Sequence, residues 1–332
     1  MKTDAWGLTP NELANALGKM TVQGVYRILK QKSMQSASKN TRKIISSMDV
    51  RDILLGRGFE YPKQNYSFQI VKGGAGKTSL AANFCFRASH YGAKVLAIDF
   101  DQQANLTRTF SIDTHNKPVW LNLIRSENSV ESAIIPIHNN LHIIPSSLNN
   151  SRLDVEIMQG SVNVREIIND VLAPIRDNYD IVVMDCQPNI NKTNACVTCA
   201  SNLIVIPINP DQYSMDGMDY TIDEISFIKK SYKLNLLDYR IVWNKYDGRE
   251  RLGALYMHQL AKDEEKISKV LPVVLRTDTA LKNAVFENTT IFNRSRKSTI
   301  QEDMDQLTRE LLGLNTWVEA KKKGVHEESG VA

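Results

Sequence analysis

One stretch constrains this chain more than any other: Ile70-Val71-Lys72-Gly73-Gly74-Ala75-Gly76-Lys77-Thr78-Ser79. Apolar or β-favouring residues from Ser67 to Val71, interrupted by Gln69, read as a short strand, and Leu80 to Ala88 begins a helix. A glycine-rich turn between them, with Lys-Thr at the helix start, forms a phosphate cradle. Backbone N–H groups point inward, the helix N-terminus favours anions, Lys77 supplies a point charge and the Thr78 hydroxyl can hold Mg²⁺. The bland reading, an ordinary Gly/Lys loop, leaves the flanking strand and helix unexplained.

Downstream, the pattern alternates strand and helix, as in a parallel α/β sheet. Strands are expected at 94–101, 141–145, 179–185, 203–208, 239–244 and 270–275, with a closing amphipathic helix over 297–314 and a polar tail from Lys321. In an open α/β sheet, ligands sit at the carboxyl ends of the strands. Asp99, Asp101 and Asp185 each follow a hydrophobic run and fall at such ends, where Mg²⁺ and an attacking water must be managed. A single acid there would mean little; three beside a P-loop point to a site.

The net charge of +4 is unevenly distributed. Residues 1–66 hold 11 Lys/Arg against 5 Asp/Glu, whereas the other 266 residues hold 30 against 32. This asymmetry suggests an attached nucleic-acid-binding module, with a solvated basic face as the alternative. Thr9-Pro10-Asn11-Glu12 is a good helix start, and Leu13, Ala14, Ala16 and Leu17 follow at helical spacing until Gly18. A second helix spans Val22 to Lys30. Small Ala, Gly turn and Val-x-x-Val-Tyr-Arg helix resemble a helix-turn-helix, with a turn one residue longer than the commonest spacing. In that reading Thr21, Gln23, Tyr26 and Arg27 face a DNA groove. Residues 31–43 read as a wing, a linker or a basic loop, and Ile44 to Leu55 as a further helix with a restart at Ser46 to Asp49. The fold class is therefore α/β, a mostly parallel P-loop sheet flanked by helices, preceded by a small all-helical domain. The expected division is 1–66, 67–315 and a tail at 316–332.

No run approaches the roughly 18 apolar residues of a membrane span, and residues 1–4 lack a signal-peptide core, so a cytoplasmic protein is expected. Four cysteines do not make a disulfide scaffold. Cys196-Val-Thr-Cys199 supplies two thiolates at most, and small core residues on a helix explain the spacing better than a metal cluster does.

The P-loop departs from the common spacing, because Val71 stands where its first Gly belongs and a second lysine, Lys72, fronts the loop. Lys-Gly-Gly-x-Gly-Lys-Thr resembles the deviant Walker A motif of the ParA/MinD/nitrogenase-iron-protein class. The resemblance implies a nucleotide-sandwich homodimer, in which Lys72 reaches the partner's nucleotide. It implies ATP and Mg²⁺ as ligands, cradled by Lys72, Gly73, Gly74, Ala75, Gly76, Lys77, Thr78 and Ser79. Asp99-Phe100-Asp101-Gln102-Gln103 resembles the family's Asp-x-Asp-Pro-Gln segment, with Gln102 in place of Pro. Asp101 takes the water-orienting position, Asp99 the position nearer the metal, and Asp185 that of the Walker B acid, so Thr78, Asp99 and Asp185 are the implied metal group and Lys72, Lys77 and Asp101 the catalytic one. Pro207 and Asp211 match the base-side loop and Asn244 the following strand end. Asn244-Lys245-Tyr246-Asp247 also reads as the guanine motif Asn-Lys-x-Asp, so GTP stays open beside ATP.

Residues 274–282 resemble the late segment where ParA proteins carry basic residues for non-specific DNA; Arg276, Lys282, Arg294, Arg296 and Lys297 are the candidates. The resemblance spans about residues 67–300. It implies a slow, DNA- and partner-stimulated partition ATPase on the nucleoid, with a ParB-like centromere-binding partner and a helix-turn-helix able to repress its own operon. A MinD-like membrane ATPase, anchored through Leu311, Leu312, Leu314, Trp317 and Val318, is one alternative; a nucleotide-responsive transcription regulator is another.

Overall fold

The computed structural model describes residues 6–18, 20–31, 37–39, 42–160, 162–293 and 297–328. The N-terminal module runs β1 (Gly7–Leu8), α1 (Pro10–Ala16), α2 (Val22–Gln31), β2 (Ala37–Lys39), β3 (Arg42–Ser46) and α3 (Ser47–Leu55). Thr9 starts α1 with a reciprocal capping box, its hydroxyl accepting from Glu12 N–H while its own N–H donates to the Glu12 carboxylate at 2.8 Å. Gly18, at φ +84°, makes the turn that lets α2 fold back on α1. Val25 and Leu29 are buried beneath α2.

The module is not all helical. Ile44 and Ile45 lie in β3, which pairs antiparallel with both β1 and β2 in the order β1-β3-β2. Two adjacent β-branched residues fit an extended pleat at least as well as a helix, and α3 begins only where the Ser46 hydroxyl caps Asp49 N–H at 3.1 Å.

The second sheet holds β4 (Gln64–Phe68), β5 (Val95–Asp99), β6 (Ile135–His138), β7 (Leu141–Ile144), β8 (Ile181–Asp185), β9 (Leu203–Ile208), β10 (Asp238–Tyr246) and β11 (Val270–Arg276). Its order is β11-β10-β9-β4-β8-β5-β7-β6, parallel throughout except for antiparallel β6 at one edge. β5 and β8 are buried along their whole length, as strands covered on both faces must be. The chain leaves β4 for β5 on one side and later builds β9, β10 and β11 on the other. This switch point lies beside β4, where a ligand crevice is expected.

β4 sits three residues earlier than the apolar run suggests. Tyr66 and Phe68 are buried, and the neighbouring polar side chains find partners: Asn65 Nδ2 donates to the Ala200 carbonyl at 2.8 Å and Ser201 Oγ to Ser67 Oγ at 2.8 Å. After Gln69 the chain leaves the ladder, and Val71 N–H donates to the Thr221 hydroxyl at 3.0 Å instead of to a strand.

α4 (Lys77–His90) runs from the glycine loop to the N-terminal module. At its far end Trp6 donates to Ser89 Oγ at 3.1 Å and stacks on His138, with ring centroids 4.3 Å apart. Arg87, buried, pairs with Glu12 of α1 at 3.1 Å and with Asp305 of helix Thr299–Leu311 at 2.6 Å. One apolar cluster runs continuously from Leu8 and Leu13 through Val50 to Phe84 and Leu307, across the stretch read as a domain boundary.

The segment read as a tail is also structured, since Leu314–Glu328 is a helix. Leu314 and Val318 are buried, Val318 against Gly18, and Trp317 donates to the Gly58 carbonyl at 3.2 Å and packs edge-on to Phe59. These residues, weighed above as a membrane anchor, are spent on the protein's own core. No helix among the described residues is long and apolar enough to cross a membrane.

Candidate functional site

The parallel register brings three strand ends level: Phe68 pairs with Asp185, and Asp185 with Asp99. Neighbouring strands lie about 4.8 Å apart, so the glycine loop after β4 and the acids of β8 and β5 form one row at the carboxyl edge.

The loop itself is built for close approach. Gly74 (φ +76°) and Gly76 (φ +97°) hold left-handed conformations, and a β-carbon on Gly76 would run into the Asn244 amide. A β-carbon on Gly73 would meet nothing within 4 Å, Ala75 is buried and the Ser79 carbonyl accepts from Asn83 Nδ2 at 2.7 Å. Asn244 Nδ2 donates to the Ala75 carbonyl at 2.7 Å, and Lys245 Nζ to the Gly74 carbonyl at 2.6 Å. Two residues from the end of β10 thereby hold the loop that begins after β4.

Lys77 opens α4 and is buried; its Nζ folds back on the carbonyls of Ile70 and Lys72, at 3.4 and 3.3 Å. Burial pulls its pKa down while Asp185 pulls the other way. Loop carbonyls are weak partners for an ammonium, so a phosphate would displace them.

The acids differ. Asp99 is fully engaged: its oxygens accept from Asp101 N–H at 3.0 Å and from the Thr107 N–H and hydroxyl at 2.9 and 2.7 Å. Burial nevertheless raises its pKa to about 7. Asp101 is anchored by Gln103 N–H at 2.9 Å. Asp185 has both oxygens buried with no hydrogen-bond partner of normal geometry. Burial and Asp99 raise its pKa well above the carboxylate range, against Thr78 and Lys77, which lower it. A doubly orphaned buried carboxylate facing the hydroxyl at a helix start fits a hydrated Mg²⁺. Asp99, its oxygens engaged by two backbone N–H groups and the Thr107 hydroxyl, instead fixes the turn that presents Asp101.

Lys72 does not lie in the cradle. Its Nζ reaches Asp211 Oδ1 at 2.6 Å and Ser214 Oγ at 2.9 Å, at the start of helix Gln212–Tyr232, which Asp211 caps. Pro207 is buried inside β9 opposite Val242. Asp247, the last residue of Asn-Lys-x-Asp, gives its oxygens to Arg249 at 2.9 and 2.6 Å. Ser214 and Thr107, now part of the site, were not singled out from sequence, and Lys245 was read only within the motif Asn-Lys-x-Asp; Asp-x-x-Ser at a helix start was the available signal for Ser214.

A family model described as an AAA domain matches residues 64–237. A ParA family protein of Chlamydia trachomatis is 28% identical over 249 residues, 73% of this chain and 95% of that one. The chain belongs to the ParA-type ATPases of the AAA-domain family. The uncharacterized protein MJECL24 of Methanocaldococcus jannaschii is 32% identical over 224 residues, 64% of this chain and 84% of that one. The fold resembles that of a plasmid partition protein (BB_S35) from Borrelia burgdorferi B31 bound to AMPPNP, with TM-score 0.63 and 20% identity over 75% of this chain and 98% of that one.

The remaining expected residues lie away from the loop. On α2, Gln23, Tyr26 and Arg27 are exposed on one face, opposite Val25 and Leu29, while Thr21, also exposed, precedes the helix and its hydroxyl accepts from Gly24 N–H at 3.1 Å. Lys282 and Lys297 are exposed, whereas Arg276 is held by Asp303 through several hydrogen bonds, among them Nε to Oδ2 at 3.0 Å. Arg294 and Arg296 lie outside the described residues. Cys196 and Cys199 are buried, and burial pushes their thiols up to about 12 and about 11, so they are protonated at neutral pH.

Proposed function

We propose that this chain is a nucleotide-switched DNA-partition ATPase. It takes ATP and Mg²⁺, pairs with a second copy through Lys72, and binds DNA in the ATP state. The observation that carries the reading is the row of Lys77, Thr78, Asp101 and Asp185 at one sheet edge, with a second lysine, Lys72, held at its front.

Mg²⁺, when bound, neutralises charge on the phosphate oxygens. Lys77 leaves the loop carbonyls for the phosphates, and the loop N–H groups fix their position. Asp101 orients the water. Asn244 and Lys245 keep the loop in shape, and the Asp247–Arg249 pair leaves no free carboxylate for guanine N–H groups, which supports ATP over GTP. Such chemistry depends on positioning and electrostatics rather than on a covalent nucleophile.

The N-terminal module supports a DNA role. A two-helix unit exposing Thr21 and, on α2, Gln23, Tyr26 and Arg27, backed by a three-stranded sheet, has the outline of a winged helix-turn-helix. It is the candidate for operator binding and autorepression. Lys282 and Lys297 serve non-specific DNA contact; Arg276, spent on Asp303, contributes less. A ParB-like partner stimulates hydrolysis, and the protein resides on the nucleoid.

The test is ATP turnover and random-sequence DNA binding by the full chain. DNA binding should require ATP, weaken steeply with salt, and accompany faster hydrolysis that Asp101→Ala removes. Turnover indifferent to both DNA and this substitution would refute the reading.

A further inference from the structure

A cleft beside the phosphate loop takes no part in the nucleotide chemistry above. It is open to solvent, measures about 350 Å³, and lies between residues 69–71, residues 187–191, helix Lys192–Ala200 and helix Gln212–Tyr232. Ile70, Ile225 and Ile228 form a buried apolar wall, and Ile190, 54% exposed, stands at the mouth. Two polar groups in the lining lack partners, and both are acceptors. Asn194 is nine-tenths buried; its Nδ2 donates to the carbonyls of Gln187, at 2.9 Å, and of Asn189. Those two carbonyls fix which end of the amide is the donor, and Oδ1 is left with no partner. Glu224 is partly buried, and no hydrogen bond or ion pair engages its carboxylate among the described residues. The lining includes no Lys, Arg or His. Lys192, Lys229 and Lys230, on the two helices, lie outside it, Lys229 being tied to the Leu237 carbonyl at 2.7 Å. Lys72, next to Val71, is held by Asp211.

We infer that this cleft binds a small organic cation, an alkylguanidinium or alkylammonium whose N–H donors meet Asn194 Oδ1 and Glu224 while its alkyl arm lies on the isoleucines. Charge and hydrogen bonding decide the class. A phosphate or carboxylate ligand would face Glu224 with no cation in the lining to offset it. A wholly apolar ligand would bury both acceptors unpaired, which is costly. A divalent metal ion takes six or more oxygens, and the described residues hold no group of three or more His, Cys, Asp or Glu able to bind one. A cation with an apolar arm satisfies the acceptors and the wall together.

The probe is n-butylguanidinium chloride, titrated by calorimetry into the nucleotide-free full chain at constant ionic strength. Its controls are n-butylurea, the neutral isostere, and guanidinium chloride, which lacks the arm. The probe binds wild type with a Kd of about 1 mM, and both controls bind at least about tenfold more weakly. Glu224→Gln removes the preference for the cation over the urea. Ala195→Leu, which extends a partly buried lining residue into the cleft, abolishes binding of the probe. Both variants melt as wild type does and keep its ATP affinity when no probe is present. Absence of saturable binding to wild type, equal binding of butylguanidinium and butylurea, or variants that bind the cation like wild type would each overturn the proposal. The titration contains no nucleotide, so its failure leaves the ATPase reading standing; loss of ATP binding by wild type would strike that reading instead.

Discussion

Lys72 Nζ lies 2.6 Å from the Asp211 carboxylate of its own chain, with Ser214 Oγ as a second partner. In the proposed dimer, where Lys72 serves the neighbouring subunit, the lysine is thus restrained before that subunit arrives. Lys72 is about a fifth exposed and Asp211 two-fifths, so the pair is weak enough to exchange. Asp211→Ala should free Lys72 and lower the protein concentration at which ATP produces dimers, by about twofold to fivefold. Sedimentation across a concentration series checks this; an unchanged or raised threshold would mean that Asp211 does not restrain the lysine.

Asp185 is a buried carboxylate with no hydrogen-bond partner of normal geometry. Asp185→Asn should therefore raise the melting temperature of the nucleotide-free protein, by roughly 2–4 °C, because the charge no longer has to be desolvated. The same change should abolish the extra stabilisation that Mg²⁺ adds to ATP. Thermal shift with ATP, with and without Mg²⁺, reads both effects.

Gly76 combines φ +97° with the Asn244 amide occupying the space a β-carbon would need. Gly76→Ala must strain the backbone by about 1–2 kcal/mol and push Asn244 from the Ala75 carbonyl. Nucleotide affinity should fall at least about tenfold, as measured by titration calorimetry. Gly73→Ala, where nothing is near, is the control and should alter stability little.

His90 is buried among Trp6, Phe86 and Phe292, and neither ring nitrogen has a partner. Burial, with Arg87 and His138 nearby, holds its pKa well below 6.5. The unfolded chain accepts a proton near 6.5 and the folded chain does not, so this group's contribution is present above that value and lost as pH falls. Asp99 acts in the opposite sense, since its raised folded pKa makes stability grow as pH falls through 7. The difference between wild type and His90→Leu cancels Asp99. Below about pH 6.5, wild type should lose up to about 1.4 kcal/mol per pH unit relative to the variant. Parallel melting curves from pH 7.5 to 5.5 would show that His90 does not carry the effect.

The phosphate loop and the acids were legible because both are local signals: a glycine turn before a helix, and an acid ending an apolar run. What the sequence concealed was set by distant parts of the chain. β4 lies over Gln64–Phe68, where Ala200 accepts from the buried Asn65 amide and Ser201 bonds Ser67, partners that no local pattern reveals. β6 was missed because Ile135-Pro136-Ile137-His138 is a short edge strand interrupted by proline. Ile44 and Ile45 fit a helix or a strand until β1 and β2 arrive to pair with them. Asp99, expected beside the metal, turned out to be occupied by Thr107 eight residues on. Trp317 and Val318 were ambiguous until the N-terminal module gave them Phe59 and Gly18 to pack on.

In the proposed switch, Lys72 couples ATP to pairing of two chains. Sedimentation of the full chain with Mg²⁺ and ATP or ADP, for wild type and Lys72→Ala, tests this coupling. Wild type should be a dimer with ATP and a monomer with ADP, and Lys72→Ala should stay monomeric with ATP although it still binds the nucleotide. Dimers of Lys72→Ala matching wild type in ATP, or a wild type whose assembly ignores the nucleotide, would contradict it.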